Sequence, residues 1–420
     1  MVYTLQDISI SLNEEGSPEY AKVSYPIRYG RYAQIADREY TYQFDLNGRI
    51  KYIQGRGPTL PLNEWLKRTA SNDWVYYSTE GYNDVINLIG EYYLPCFSYS
   101  KNTIAAVNPF ETKAVKNAMK SYENLPLKIE RLSNGPPPEK VDRFLRLVRT
   151  HGLGELESRS NELHHITGAP ITVLPPDTRH VDYDVIPIII ADGCLYNCGF
   201  CSVKTRQNFS VRSSNNVIEQ IEKLRDFYGP DLANYNSIFL GQHDALQAGA
   251  ESIEFAAMNG YEMIELRRSF MKGANLFLFG SVDSLLSSSE ALYQFLNKSP
   301  YCTYINIGLE SADQESLEML NKPITARAVQ DAFHKIADIN RKYDRIEVTA
   351  NFVIGPELPE RHRDSIIDLS RNIFGRTSHK GGIYLSPLYG GEMTRELKNT
   401  IYQIKNFCKI PVYLYFIQRL

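Results

Sequence analysis

Three of the chain's six cysteines, Cys194, Cys198 and Cys201, stand within eight positions in the segment DGCLYNCGFCSVK at residues 192–204. Thiolates are soft ligands that suit zinc, copper(I) and iron–sulfur clusters. A structural zinc site is ordinarily closed by four protein ligands at short spacing. Here C-x3-C-x2-C offers three, and the nearest histidines in sequence are His180 and His243. The spacing therefore points to a metal centre with one open position, with a zinc site completed by a distant fourth ligand as the alternative. Cys96, Cys302 and Cys408 lie far apart and form no second motif, so they are expected to be buried, inert thiols.

The elements that must hold this motif are legible around it. From residue 185 onward, short apolar runs alternate with amphipathic helical patterns: VIPIIIA (185–191), SIFLG (237–241), NLFLFGSV (275–282), TYINIGL (303–309), IEVTANFVIG (346–355) and GIYLS (382–386). Between them NNVIEQIEKLRDF places Val217, Ile218, Ile221 and Leu224 on one face. TARAVQDAFHKIADI pairs an N-cap, Thr325, with a stripe of Val329, Ala332, Phe333 and Ile336. Successive βα units imply parallel strands with right-handed crossovers. Six of them predict an α/β fold built as a barrel or partial barrel, with a doubly wound open sheet as the competing topology. The cysteines begin three residues after the first strand, at the end of a barrel where active sites sit.

The N-terminal part predicts an α+β domain. YTYQFDLNGRIKYIQG (40–55) reads as a hairpin in which Asn47-Gly48 supplies the positive φ angles of a tight turn. The aromatic stretches at 62–82 and 89–99 have no clean period and receive no assignment. SNGPPPEK (133–140) predicts an extended spacer, followed by a helix with Val141, Phe144, Leu145 and Val148 at i, i+3, i+4 and i+7. LPPDTRH (174–180) is a second Pro-rich break. The expected organisation is an accessory domain at 1–183, a core at 184–390, and a C-terminal helix and strand at 391–420.

The cysteine spacing, with the aromatic Phe200 just before the third thiol, resembles the signature of the radical S-adenosylmethionine superfamily over roughly residues 183–390, and the six strands are similar to its partial (β/α)6 barrel. The resemblance implies one 4Fe-4S cluster on Cys194, Cys198 and Cys201, S-adenosylmethionine on the fourth iron, and Phe200 near the adenine. It places Gly241 and Gln242 where the family carries a Gly-Gly-Glu-type segment, with Gln242 and His243 departing from that pattern and leaving a backbone contact. INIGLES (305–311) is similar to the Gly-Leu-Glu-Ser segment of the branch that includes oxygen-independent coproporphyrinogen oxidases and tRNA methylthiotransferases, which would turn Glu310 and Ser311 toward the cofactor's amino acid or ribose. Ser281, Asp283 and Gly355 stand at the ends of the third and fifth strands as further cofactor contacts. The implied activity is reductive cleavage of S-adenosylmethionine and hydrogen abstraction from a small-molecule or peptide substrate by an oxygen-sensitive enzyme. Its electron donor would be a flavodoxin or ferredoxin.

His243 is the candidate proton donor or substrate contact, with a plain loop histidine as the equal alternative. Lys204, Arg206 and Arg212 could grip a carboxylate or phosphate, or form a solvated face. A net charge of -3 argues against a nucleic-acid partner. The N-terminus lacks a basic segment followed by an apolar stretch, and the longest apolar run near the cysteines has seven residues, so the expected location is cytoplasmic and off the membrane. The competing function is non-enzymatic: an iron–sulfur electron-transfer protein or a structural metal-binding protein.

Overall fold

The computed structural model describes residues 2–20, 28–78, 96, 98–105, 108–132, 137–196, 198–203, 207–373 and 380–420. Seven N-terminal strands form an antiparallel meander in chain order: β1 (Val2–Leu5), β2 (Ile8–Glu15), β3 (Arg31–Ala36), β4 (Tyr40–Phe44), β5 (Ile50–Gly55), β6 (Glu64–Arg68) and β7 (Trp74–Ser78). The last two arise from the aromatic stretch without a clean period, because their side chains are buried on both faces of the sheet rather than alternating with solvent. The stretch at 89–99 lies almost wholly outside the described residues. The β4–β5 hairpin forms as expected, but its turn differs. Gly48 alone has a positive φ, 80°, and the Asp45 carboxylate accepts the N–H groups of Asn47 (2.9 Å) and Arg49 (2.8 Å). The loop therefore spans five residues organised by an aspartate, rather than a two-residue turn made by Asn47-Gly48.

Helices α1 (Lys113–Leu132), α2 (Glu139–Thr150) and α3 (Leu153–Thr167) follow. In α2 all four periodic residues, Val141, Phe144, Leu145 and Val148, are buried. They join Tyr40, Tyr42 and Phe44 in one core, where the Phe44 and Phe144 rings meet edge to face at 5.5 Å. The second Pro-rich segment is no spacer. Pro176–Val181 folds as a buried 3-10 turn beneath the second sheet, where Asp177 accepts hydrogen bonds from Thr349 (2.7 Å) and Tyr384 (2.8 Å), and His180 stacks on Tyr304 at 4.9 Å.

The second sheet contains all six expected strands, β8 (Ile186–Ile189), β11 (Ser237–Gly241), β12 (Asn275–Gly280), β13 (Cys302–Glu310), β14 (Ile346–Ile354) and β15 (Ile383–Pro387). A seventh, β16 (Val412–Leu414), follows the C-terminal helix α11 (Arg395–Phe407) and extends the sheet. All pairs are parallel, in the order β16-β15-β14-β13-β12-β11-β8. Each new strand adds to the same edge, without the reversal that defines a doubly wound sheet. The crossover helices α4 (Ser214–Tyr228), α5 (Gly249–Met263), α6 (Val282–Ser287), α7 (Glu290–Lys298), α8 (Gln314–Met319), α9 (Ala326–Lys342) and α10 (Glu360–Ile373) bury their apolar stripes against it. Thr325 caps α9 by accepting from the Ala328 N–H, and its predicted stripe is buried. In α4, Val217, Ile221 and Leu224 are buried and Ile218 is half-buried. Gln220 is buried too, and its side-chain amide satisfies both the N–H (3.1 Å) and the C=O (2.9 Å) of Ile189 on the free edge of β8. Among the described residues β8 and β16 do not pair with each other, so the barrel is open. No helix among them is long and apolar enough to cross a membrane.

The two sheets meet at a buried ionic cluster. Lys67, on β6, lies 2.9 Å from both Asp182 Oδ2 and Asp184 Oδ1, and Lys51, on β5, lies 3.1 Å from Asp184 Oδ2. Tyr77 and Tyr52 donate to the Asp182 carboxylate. Burial alone would raise the Asp184 carboxyl, but Lys51 and Lys67 outweigh it and hold it below the usual carboxylate range. Replacing Lys67 with methionine leaves the Asp182 carboxylate without a cation in the interior, while Asp184 keeps Lys51. The expected loss is about 3 to 5 kcal/mol of stability, read from the urea unfolding midpoint, whereas Lys116→Ala at the exposed Lys116–Glu111 pair should cost less than about 1 kcal/mol.

Candidate active site

The cysteine loop is fastened at both ends. Two short strands, β9 (Ala191–Asp192) and β10 (Ser210–Val211), pair antiparallel across its base, and Arg212 grips Asp192 with two hydrogen bonds of 2.8 and 2.6 Å while also donating to the Thr167 carbonyl. Gly193 has φ of 78°, and a Cβ there would lie 2.4 Å from the Asn208 carbonyl oxygen, so only glycine lets the loop leave the strand. Arg212 is thus a clamp on the loop rather than a ligand grip. Lys204 and Arg206 lie outside the described residues.

Cys194, Cys198 and Cys201 line one cavity of about 180 Å³ at the C-terminal ends of the parallel strands. Burial pushes all three thiols up, Cys198 to about 11; the backbone at Tyr196 opposes this most at Cys194, Lys322 most at Cys198, and the backbone at Val203 followed by Lys101 at Cys201. Buried thiols in this state become ligating thiolates when a cation displaces their protons. Among the described residues no three His, Cys, Asp or Glu side chains converge tightly enough to hold a metal ion, so the thiols share a cavity without forming a closed cage. Three soft donors from one loop, with Lys101 and Lys322 lining the same cavity, fit an iron–sulfur cluster that keeps one position free.

Phe200, His243, Ser281 and Glu310 line the same cavity. Phe200 packs on Leu320, Val353 and Leu388 while Lys101 lies 5.5 Å from its ring centre. Ser281 caps α6, its Oγ accepting from the Ser284 N–H. Glu310 ends β13 at φ of 69° beyond a register shift, and its carboxylate pairs with Lys322 at 3.3 Å. Lys322 also donates to the Gly308 carbonyl at 2.8 Å. A Cβ at Gly308 would sit 2.7 Å from Glu310 Oε1, so the glycine makes room for that carboxylate.

Five residues expected as cofactor contacts are not among those that line this cavity. Gly241 and Gln242 do not line the cavity; Gln242 turns away to donate to the Pro170 carbonyl (3.1 Å), and Gly241 is packed against the Phe239 ring. Asp283 is exposed at the start of α6, where both its N–H and its carboxylate meet the Tyr196 hydroxyl. Ser311 is fully buried behind the strand end. Its hydroxyl donates to His362 Nδ1 (2.8 Å), whose Nε2–H is committed to the Val353 carbonyl (2.8 Å). Gly355 rests against Leu388. Of the two histidines near the motif in sequence, His180 is stacked beneath the sheet and His243 shares the thiols' cavity. Cys302, expected buried, is exposed, because it begins β13 with its side chain outward; Cys96 and Cys408 are half-buried.

Lys101, Lys322, Tyr196 and Asp244 carry no motif and were not anticipated. Asp244 binds the Ser281 N–H (3.0 Å) and the Ser284 hydroxyl (2.8 Å), setting the turn that presents Ser281. Only its place directly after His243 at a strand end could have marked it.

Burial lowers the His243 pKa to about 4. A histidine at about 4 in the fold and 6.5 when unfolded takes up its proton preferentially in the unfolded chain between those values. Stability should therefore fall as pH drops from 6.5 to 4, by on the order of 3 kcal/mol from this residue. His243→Gln should flatten that acid limb in denaturant titrations at stepped pH, and an unchanged slope would show that the imidazole is not held neutral by burial.

Residues 188–370 match the family described as the radical SAM superfamily. The ribosomal protein uS12 methylthiotransferase RimO of Syntrophotalea carbinolica is 21% identical over 219 residues, covering 51% of this chain and 44% of that protein. The chain thus spans less than half the length of this curated relative. Among solved structures, SuiB of Streptococcus suis aligns over 83% of this chain and 70% of its own, with 11% identity and a TM-score of 0.39. The cobalamin-dependent S-adenosylmethionine radical enzyme OxsB aligns over 54% and 31%, with 13% identity and a TM-score of 0.34. The domain at residues 188–370 is thus that of the radical SAM superfamily, a family that implies S-adenosylmethionine and an iron–sulfur cluster.

Proposed function

We propose that the chain is a radical S-adenosylmethionine enzyme whose Cys194, Cys198 and Cys201 hold a single 4Fe-4S cluster. The observation that carries this reading is the shared cavity: three thiols from one pinned loop, with Phe200, His243, Ser281 and Glu310 around them. Such a cluster, once reduced with S-adenosylmethionine bound, supplies the electron that breaks a carbon–sulfur bond and so generates a 5'-deoxyadenosyl radical able to take hydrogen from an unactivated carbon.

The protein's residues orient and exclude. Phe200 offers a ring face to the adenine, and Lys101, above that ring, shields it from water. The Glu310 carboxylate, steadied by Lys322, is the acceptor for the cofactor's ammonium or ribose hydroxyls. Ser281 presents its hydroxyl from the N-terminus of α6. Gly241, Gln242, Asp283 and Gly355 would contribute through backbone groups, and Ser311 by holding the β13 end in place. A neutral His243 can accept a proton at the cavity wall. The substrate is an organic small molecule or a peptide, the electron donor a flavodoxin or ferredoxin, and the setting cytoplasmic and sensitive to oxygen.

The test is anaerobic. Protein reconstituted with iron and sulfide, given S-adenosylmethionine and dithionite, should release 5'-deoxyadenosine, and the Cys194→Ala, Cys198→Ala, Cys201→Ala variant should release none. A fully loaded cluster that yields no product and no spectroscopic change with S-adenosylmethionine would leave the chain an electron-transfer or metal-binding protein.

A further inference from the structure

Among the described residues, two amide oxygens in the cavity wall have no hydrogen-bond partner. Asn306 on β13 and Asn351 on β14 both line the cavity, and the Oδ1 atom of each is buried without a hydrogen bond. Asn306 is wholly buried. It stands four residues before Glu310, and Asn351 four before Gly355, so at about 3.3 Å per residue both lie roughly 13 Å inward from the strand ends. In the β13–β14 register Asn306 faces Thr349 and Gly308 faces Asn351, which places the two amides diagonally on neighbouring strands.

The orientation of Asn306 is dictated from beneath. Its Nδ2 donates to Thr349 Oγ1 at 2.9 Å, and Thr349 Oγ1 donates to Asp177 Oδ2 at 2.7 Å. The other Asp177 oxygen accepts from the Tyr384 hydroxyl at 2.8 Å, whose oxygen in turn accepts from Arg179 Nε at 2.9 Å. A hydroxyl has one hydrogen to give. Thr349, having given its own to Asp177, can only accept from Asn306, so the amide nitrogen must face it and the amide oxygen is left to the cavity. Burial raises the Asp177 carboxyl to about 6, and the bonds from Thr349 and Tyr384 work against that rise, so at neutral pH the carboxylate still terminates the chain.

Phe279 stands level with Asn306 on the neighbouring strand, and Val353, Pro387 and Ile417 add apolar surface to a wall that also carries Asn102, Ser386 and Tyr415. Glu310, the carboxylate on the cavity, is already paired with Lys322, and so leaves no free negative charge there to balance a cation. We propose that Asn306 and Asn351 form the substrate subsite, a pair of carbonyl acceptors selecting a neutral carboxamide on an apolar body and rejecting the corresponding ester. The proposal rests on the radical reading above and names the class of molecule that reading left open. A buried acceptor that meets an ester oxygen instead of an N–H remains unpaired, and this is the source of discrimination.

Benzamide and methyl benzoate are the probes, titrated by ligand-observed NMR against cluster-loaded protein with S-adenosylmethionine under anaerobic conditions. The wild type should bind benzamide about tenfold more tightly. Asn306→Leu and Asn351→Leu should each abolish that preference. Thr349→Val, which leaves both asparagines in place but frees the Asn306 amide to turn, should weaken it. All three should keep the change in the cluster's spectrum on adding S-adenosylmethionine. Equal or absent binding of the two probes by the wild type, or an undiminished preference in Asn306→Leu, would overturn the subsite. Loss of the spectral change in Asn306→Leu would overturn it too, by making the residue a cofactor contact. If the amide preference holds while the wild type cleaves no S-adenosylmethionine, the subsite stands and the radical reading falls.

Discussion

Seven parallel strands joined in one direction by right-handed crossovers can put their covering helices on only one face of the sheet. The other face must be filled from elsewhere or left as a cavity, and the chemistry of the protein depends on how that is divided. At the N-terminal ends of the strands the concave face is closed by aromatic rings, with Phe277 stacked on Tyr304 at 5.1 Å and Tyr304 on His180 of the Pro176–Val181 turn. At the C-terminal ends it stays open, and the cysteine loop lies across the opening.

Three buried acidic centres show how differently the fold manages charge. Asp182 and Asp184 are neutralised by lysines and join the two sheets. Glu310 is neutralised by Lys322 within the site and is thereby kept in one position at the end of its strand. Asp177 is held by two hydroxyl donors, Thr349 and Tyr384, which makes it an anchor for hydrogen-bond direction. A buried carboxylate thus joins two sheets, stays paired at the cavity, or orients an amide, according to what surrounds it.

The N-terminal half is more than a cover. Lys101, from the 3-10 turn Ser100–Ala105, reaches the ring of Phe200 and the cavity of the cysteines, and Asn102 beside it bonds the backbone of Ile417 near the free edge of the second sheet. Leu174 bonds the same C-terminal stretch through Gln418 and Tyr415. The site is therefore assembled from segments more than 300 residues apart in the chain.

Features governed by neighbours in the chain were legible in the sequence. The thiol spacing, the six apolar strands, the Thr325 cap and the buried stripe of α2 depend on periodicity and on local hydrogen bonds, and the residue types carry that information directly. The turn at Asn47-Gly48 was read as two residues because the aspartate that organises it acts through its side chain, which a dipeptide pattern does not register. Whether Gly241, Gln242, Ser311 or Gly355 would face the cavity depended on strand twist and on partners such as Pro170, His362 and Leu388, none of them adjacent in sequence. Lys101, Lys322, Asp244 and the chain from Arg179 to Asn306 were hidden for the same reason. The sequence by itself determined which residues can ligate, which segments are strands and which faces are apolar, since these follow from side-chain type and local period. Only the tertiary structure decided which cation meets which thiol, which carboxylate is paired, and which amide oxygen is left open to the cavity, because each of those is set by the packing of segments that the chain order keeps apart.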